Sequence, residues 1–200
     1  MILNTVEELW KGISNAPIAA FALIAGVLLL FEKGVKWEWR AICLETAFAS
    51  FLGMFVHIFK LPEIYRKLIW VLLYAVLFEV IRLFGHRAAV YITQNERKER
   101  LMTRIIEIAL YLEAVVLLFI TNGWDMAMLV LFSLLCVIRI VMAIIKHPCV
   151  PKLFFVLLGI AALAVIILAL KSFIPYAVVI CHILIALSIV IFYFIAVKDK

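Results

Sequence analysis

Charge is what this chain has least of. Only 16% of its 200 residues are Asp, Glu, Lys or Arg, and 68% are apolar, where soluble proteins run at about 25% and about 45–50%. That scarcity excludes a water-soluble globule, because a domain of this length has nowhere to bury so much hydrocarbon. Lipid fits instead, since a hydrocarbon layer about 30 Å thick accepts apolar helices of roughly 20 residues. Paired cysteines are missing too. Cys43, Cys136, Cys149 and Cys181 are scattered without a Cys-x-x-Cys, three of them inside apolar runs where a thiol packs as a small group, so no disulfide framework is expected. Met1–Asn15 is neither basic nor apolar enough for a cleavable signal, which leaves insertion to the first span. There is no Gly-x-Ser-x-Gly and no His-Glu-x-x-His, which removes the signatures of a serine membrane protease and of a membrane metalloprotease.

What is present is a succession of apolar runs divided by polar breaks. Residues 2–13 place Ile2, Leu3, Val6, Leu9, Trp10 and Ile13 at helical spacing, with Thr5 and Glu8 arranged as a capping box. This predicts a short amphipathic helix over 1–15, lying in the membrane interface with Trp10 at headgroup depth. After Asn15-Ala16-Pro17 the remainder, 16–200, reads as one transmembrane bundle with spans over about 18–31, 41–59, 68–84, 102–120, 124–145, 153–170 and 174–197. Trp37 and Trp39 flank the first polar turn as interfacial aromatics. The expected fold is therefore all-α, about seven spans plus an N-terminal interfacial helix.

The net charge of +6 does not point to nucleic acid, because the basic residues sit beside apolar spans rather than on one groove with stacking aromatics. They set orientation instead. Lys33, Lys36, Arg40, Arg87, Arg97, Lys98, Arg100, Arg104, Lys146, Lys152, Lys198 and Lys200 collect on one side of the expected bundle, against Lys11, Lys60, Arg66, Lys67 and Lys171 on the other. By the positive-inside rule the C-terminus is expected in the cytoplasm and the N-terminus outside. Anionic headgroups near the cytoplasmic basic loops are the expected lipid partners. A second copy of the chain or a cytoplasmic protein is the candidate macromolecular partner.

Ionisable residues inside spans cost about 2.5–3.5 kcal/mol each on insertion scales, so each requires a partner, water or a role. They sort into two layers. The inner layer holds Glu45, Glu79, Arg82, Glu107 and Arg139. Glu79 and Arg82 are three residues apart and can pair on one helix, while Arg139 is placed to bridge to Glu45 or Glu107. Ion pairs that hold the bundle are one reading of this layer, and a gated proton or ion path is the other. The outer layer holds His57, Glu113, Asp125 and His182. Two imidazoles and a carboxylate are a ligand set for zinc, which lowers the pKa of a bound water to near neutrality; the plainer reading is histidines bonded to neighbouring helices or seated in headgroups. Thr46, Ser50, Gly53 and His57 share one face of the second span, which predicts close contact with another helix. The sixth span carries no charge and is expected to face lipid.

Seven spans, Ser50 and His57 in the second and His182 in the seventh resemble the layout of the superfamily of membrane hydrolases that includes alkaline ceramidases and adiponectin receptors. The resemblance implies a zinc site facing a serine, with Ser50, His57 and His182 at the matching positions. The chain departs from that pattern in three places: Ser50 and His57 are seven apart, the third span offers Glu79 in place of an aspartate, and Ala186 stands where a second histidine of the last helix belongs. The leading expectation is a non-enzymatic polytopic membrane protein for small-solute transport, membrane sensing or partner anchoring. The alternative is a zinc-dependent membrane hydrolase acting on a lipid, with His57, Asp125 and His182 as ligands and Ser50 as the catalytic group.

Overall fold

The computed structural model describes residues 3–93, isolated positions between 97 and 108, residues 152–170, and residues 173–199 apart from 175. Apart from isolated positions between 104 and 108, the expected spans over 102–120 and 124–145 lie outside this set. Among the described residues the chain is helical: α1 (Val6–Phe31), α2 (Trp37–Ile58), α3 (Glu63–Thr93), α4 (Lys152–Ala169) and α5 (Ala177–Lys198). Four stretches, Val6–Phe31, Trp37–Ile58, Glu63–Arg87 and Ala177–Lys198, are long and apolar enough to cross a membrane. This is compatible with an integral membrane protein.

The beginning of the chain differs from the expectation. Instead of an interfacial helix over 1–15 and a separate span from Ile18, one 26-residue helix runs through Pro17, about 39 Å at 1.5 Å per residue. Thr5 is its N-cap, and its side-chain oxygen accepts the Glu8 N–H at 3.4 Å. The reciprocal half of the capping box is absent: the Thr5 N–H donates to Asn4 Oδ1, and the Glu8 carboxylate turns to Lys11 and His57. Pro17 removes one helical donor but does not end the helix. The turn before it is reinforced, because Ser14 Oγ and Asn15 Nδ2 both donate to the Lys11 carbonyl, at 2.8 and 2.9 Å. Helices inside membranes tolerate proline where such side chains and neighbouring helices hold the backbone.

Small residues let α1 and α2 approach closely and antiparallel. The buried positions of α1 are Gly12, Ser14, Asn15, Ile18, Ala22, Ala25, Gly26 and Leu29, a seam of mostly small side chains typical of membrane helix interfaces. Gly12 lies against Met54, His57 and Ile58, and Gly26 lies against Leu44. The face of α2 marked by Ser50 and Gly53 does meet other helices: both residues are buried, and Gly53 sits between Asn15 of α1 and Leu73 of α3. Lys33 to Lys36 turn the chain between the two helices, with Gly34 at φ 82°, a left-handed conformation that glycine adopts without a Cβ penalty.

α5 packs along α1, α4 packs on α5, and α3 lies on the far side of α2. The interior is fullest near the Phe31–Trp37 end, where Leu29, Trp39, Leu83 and Ile195 are fully enclosed, and Phe192 of α5 stacks obliquely against Trp39 and edge-on against Phe84. Outward, Phe21, Leu23, Ile24 and Leu28 of α1 and Val156, Leu163 and Ile166 of α4 stay exposed, a band of hydrocarbon surface suited to lipid chains. Among the described helices α4 packs on α5 alone.

Trp39 corrects a second expectation. Trp37 is 59% exposed, as an interfacial residue should be, but Trp39 is 0% exposed. Two residues along a helix turn a side chain by about 200°, so only one of the pair can face outward while the other fills the core.

Candidate functional site

Polar side chains gather at the two ends of the described bundle. At the Val6 end, α1 supplies the partners. The Glu8 carboxylate takes Lys11 Nζ at 2.7 Å on one oxygen and His57 Nδ1 of α2 at 2.6 Å on the other. The imidazole also meets the Trp70 ring of α3 in a T-shaped contact, with centroids 5.6 Å apart. Six residues on from Glu8, Ser14 Oγ meets His182 Nδ1 of α5 at 2.6 Å. His57 and His182 are thus brought to the same end of the bundle, each pinned to α1 through Nδ1, and the Nε2 of each has no partner among the described residues. Ser50 lies on α2 between these groups and the middle of the helix, and is buried.

The opposite end carries a cluster that no local sequence pattern predicts. Asp199, the C-cap of α5, accepts Trp39 Nε1 at 2.6 Å and pairs with Arg87 of α3. Arg87 also lies 4.0 Å from Glu38, whose carboxylate is 3.4 Å from His86 Nε2. Arg87 and Glu38 are each 6% exposed, so the pairing takes place away from water. Glu38 sits in the first turn of α2, where the helix dipole favours a carboxylate. Asp199 sits at the unfavourable end of α5, at a cost of about 0.3–1 kcal/mol. Two hydrogen bonds involving charged groups, at about 1.5–3 kcal/mol each, outweigh that. Arg40 completes this end by donating to the carbonyls of Leu29 and Glu32, both at 2.9 Å, which satisfies part of the open C-terminus of α1.

Between the ends, Glu79 and Arg82 form the expected pair on α3, with Arg82 Nε donating to Glu79 Oε2 at 2.6 Å. Glu45 of α2 lies within electrostatic reach of both, and its Oε2 is enclosed with no hydrogen-bond partner among the described residues. Of the remaining expected site residues, Glu107, Glu113, Asp125 and Arg139 lie outside the described residues, so the expected bridges from Arg139 and the third zinc ligand are not part of this geometry. Among the described residues no three His, Cys, Asp or Glu side chains group closely enough to hold a metal ion.

Glu8 and Ser14 lie ahead of Pro17, where the local pattern predicts a separate interfacial helix and gives no sign of their part in this site. A signal emerges only when the helix is carried through Pro17: Gly12, Asn15, Ala19, Ala22 and Gly26 then follow a three-four spacing, and Glu8 and Ser14 flank that seam. No protein-family model matches this chain, and neither a curated protein nor a solved structure does.

Proposed function

We propose that this chain is a seven-span integral membrane protein, N-terminus outside and C-terminus cytoplasmic, that works without catalysis as an anchor for a cytoplasmic partner. The observation that carries this reading is the tying of the described helices at both ends. Glu8–His57 and Ser14–His182 join α1 to α2 and α5 at one end, and Asp199 joins α5 to Trp39 of α2 and Arg87 of α3 at the other. Alternating access needs one group of helices to rock against another. Helices clamped at both ends suit a platform better than a moving gate. The platform's cationic rim is exposed at Lys33, Lys36 and Lys198, where it faces a cytoplasmic partner or anionic headgroups. The test is in-membrane cross-linking from position 33 or 36. A defined cytoplasmic protein captured there, and lost in K33E/K36E, is the expected result. Turnover of a lipid by the purified monomer sinks the reading.

A second reading, the zinc-dependent lipid hydrolase, is favoured by one specific feature. Metal-bound histidines commonly give their other ring nitrogen to a carboxylate or hydroxyl, which orients the ligand, and Glu8 and Ser14 stand in that relation to His57 and His182. The two Nε2 atoms would hold the ion, with Asp125 as the third ligand expected from sequence. Zinc would supply an activated water near neutral pH. Mass spectrometry of the purified protein decides the matter: about one zinc per chain, lost in H57A/H182A, would establish this reading, and metal content unchanged by that double substitution would remove it.

A further inference from the structure

The segment ahead of α1 and the turn from α2 to α3 form an open hollow of about 250 Å³ lined by Asn4, Phe59, Lys60, Leu61, Glu63 and Arg66. Its walls are braced by backbone pairing. Leu3 bridges to Phe59 in antiparallel fashion, the Asn4 N–H donates to the Ile58 carbonyl at 3.0 Å, and the Arg66 N–H donates to the Pro62 carbonyl at 3.0 Å. Lys60 and Arg66 are exposed, and neither side chain makes a hydrogen bond or close ion pair among the described residues, Arg66 acting on Glu63 only through space. Glu63, the acid of the lining, is already engaged, its carboxylate taking Lys67 Nζ at 2.7 Å. The positive end of the α3 dipole lies at the same turn.

We propose that this hollow binds the phosphodiester headgroup of an anionic membrane lipid, with Lys60 and Arg66 as its cationic contacts. Depth supports a lipid over a free anion. α2 ends at Ile58 and α3 starts at Glu63, so the hollow sits where apolar spans meet the headgroup layer. Ile64 and Leu68, both exposed on the first turns of α3, give acyl chains an apolar flank. An inorganic phosphate would meet the same two cations and no flank. The site is separate from the cytoplasmic rim and from either functional reading above, since it needs only that the helices lie in a membrane.

The test uses the full-length protein in a neutral detergent, with thermal unfolding followed as phosphatidylglycerol, phosphatidylcholine or inorganic phosphate is added. Phosphatidylglycerol is expected to raise the unfolding temperature saturably. K60Q/R66Q should weaken its apparent affinity about thirtyfold, taking about 1 kcal/mol for each cation at a lipid surface, while K60R/R66K should keep it. Both side chains are exposed, and retention of phosphatidylglycerol in native mass spectrometry gives a second readout that does not depend on the variant's stability. An undiminished response in K60Q/R66Q, or an equal response to phosphatidylcholine, overturns the site. An equal response to inorganic phosphate overturns the lipid as its ligand.

Discussion

Changing Gly12 to alanine tests the packing on which the whole Val6 end depends. An added Cβ would sit 2.6 Å from Ile58 Cγ1, 3.2 Å from the Met54 carbonyl oxygen and 3.3 Å from His57 Cβ. Ile58 can rotate part of its side chain away. The Met54 carbonyl and the His57 Cβ move only with the α2 backbone, so the two helices must part by a few tenths of an ångström. Overpacking of this kind costs about 1–3 kcal/mol, while replacing a helical glycine by alanine gains about 1 kcal/mol. Gly159 on α4 supplies the control, because a Cβ there meets nothing within 4 Å among the described residues. Comparing G12A with G159A cancels the propensity gain and isolates the packing cost, so G12A should be the less stable by about 1–3 kcal/mol. At roughly 2–4 °C for each kcal/mol in a chain of this size, thermal unfolding in detergent resolves the difference. A G12A protein that unfolds at or above the temperature of G159A would refute the close approach of α1 and α2.

Three further outcomes are expected. Arg82→Leu should destabilise by about 2.5–3.5 kcal/mol, because Glu79 is left charged within an apolar segment, and E79L/R82L should recover most of the loss; equal instability of the single and double variants would show that the pair is not the cause. Trp39→Phe and Asp199→Ala each remove the indole–carboxylate bond, so their effects should fall short of additive by about 1.5 kcal/mol or more in a double-mutant cycle, and strict additivity would contradict the bond. Ser14→Ala should cost about 1–3 kcal/mol by leaving His182 Nδ1 without its hydroxyl. Ser188→Ala, at similar burial but with a hydroxyl bonded to the Ile185 carbonyl of its own helix, should cost less, and the reverse order would exclude a structural role for the Ser14–His182 contact.

The division between what was legible and what was not follows the range of the forces concerned. Hydropathy is a local property of about 20 consecutive residues, so the sequence alone determined that the chain holds stretches apolar enough for a membrane, and roughly where α2, α4 and α5 begin and end, whereas α3 runs from Glu63 to Thr93, well past the 68–84 that hydropathy predicts. The Glu79–Arg82 pair was legible for the same reason, since helix geometry places residues three apart on one face. Tertiary structure alone decided the rest. Pro17 reads as a break because its missing donor is a local fact, whereas the packing of Gly12, Asn15 and Gly26 that carries α1 past it involves the neighbouring helix. Trp37 and Trp39 look alike in sequence, and only the position of α5 makes one interfacial and the other the centre of the core. Asp199 reaches Trp39 across 160 residues of chain, and His182 reaches Ser14 across 168. Which acids, histidines and hydroxyls share an end of the bundle is set by how the helices lie against one another, and no local pattern of residues encodes that.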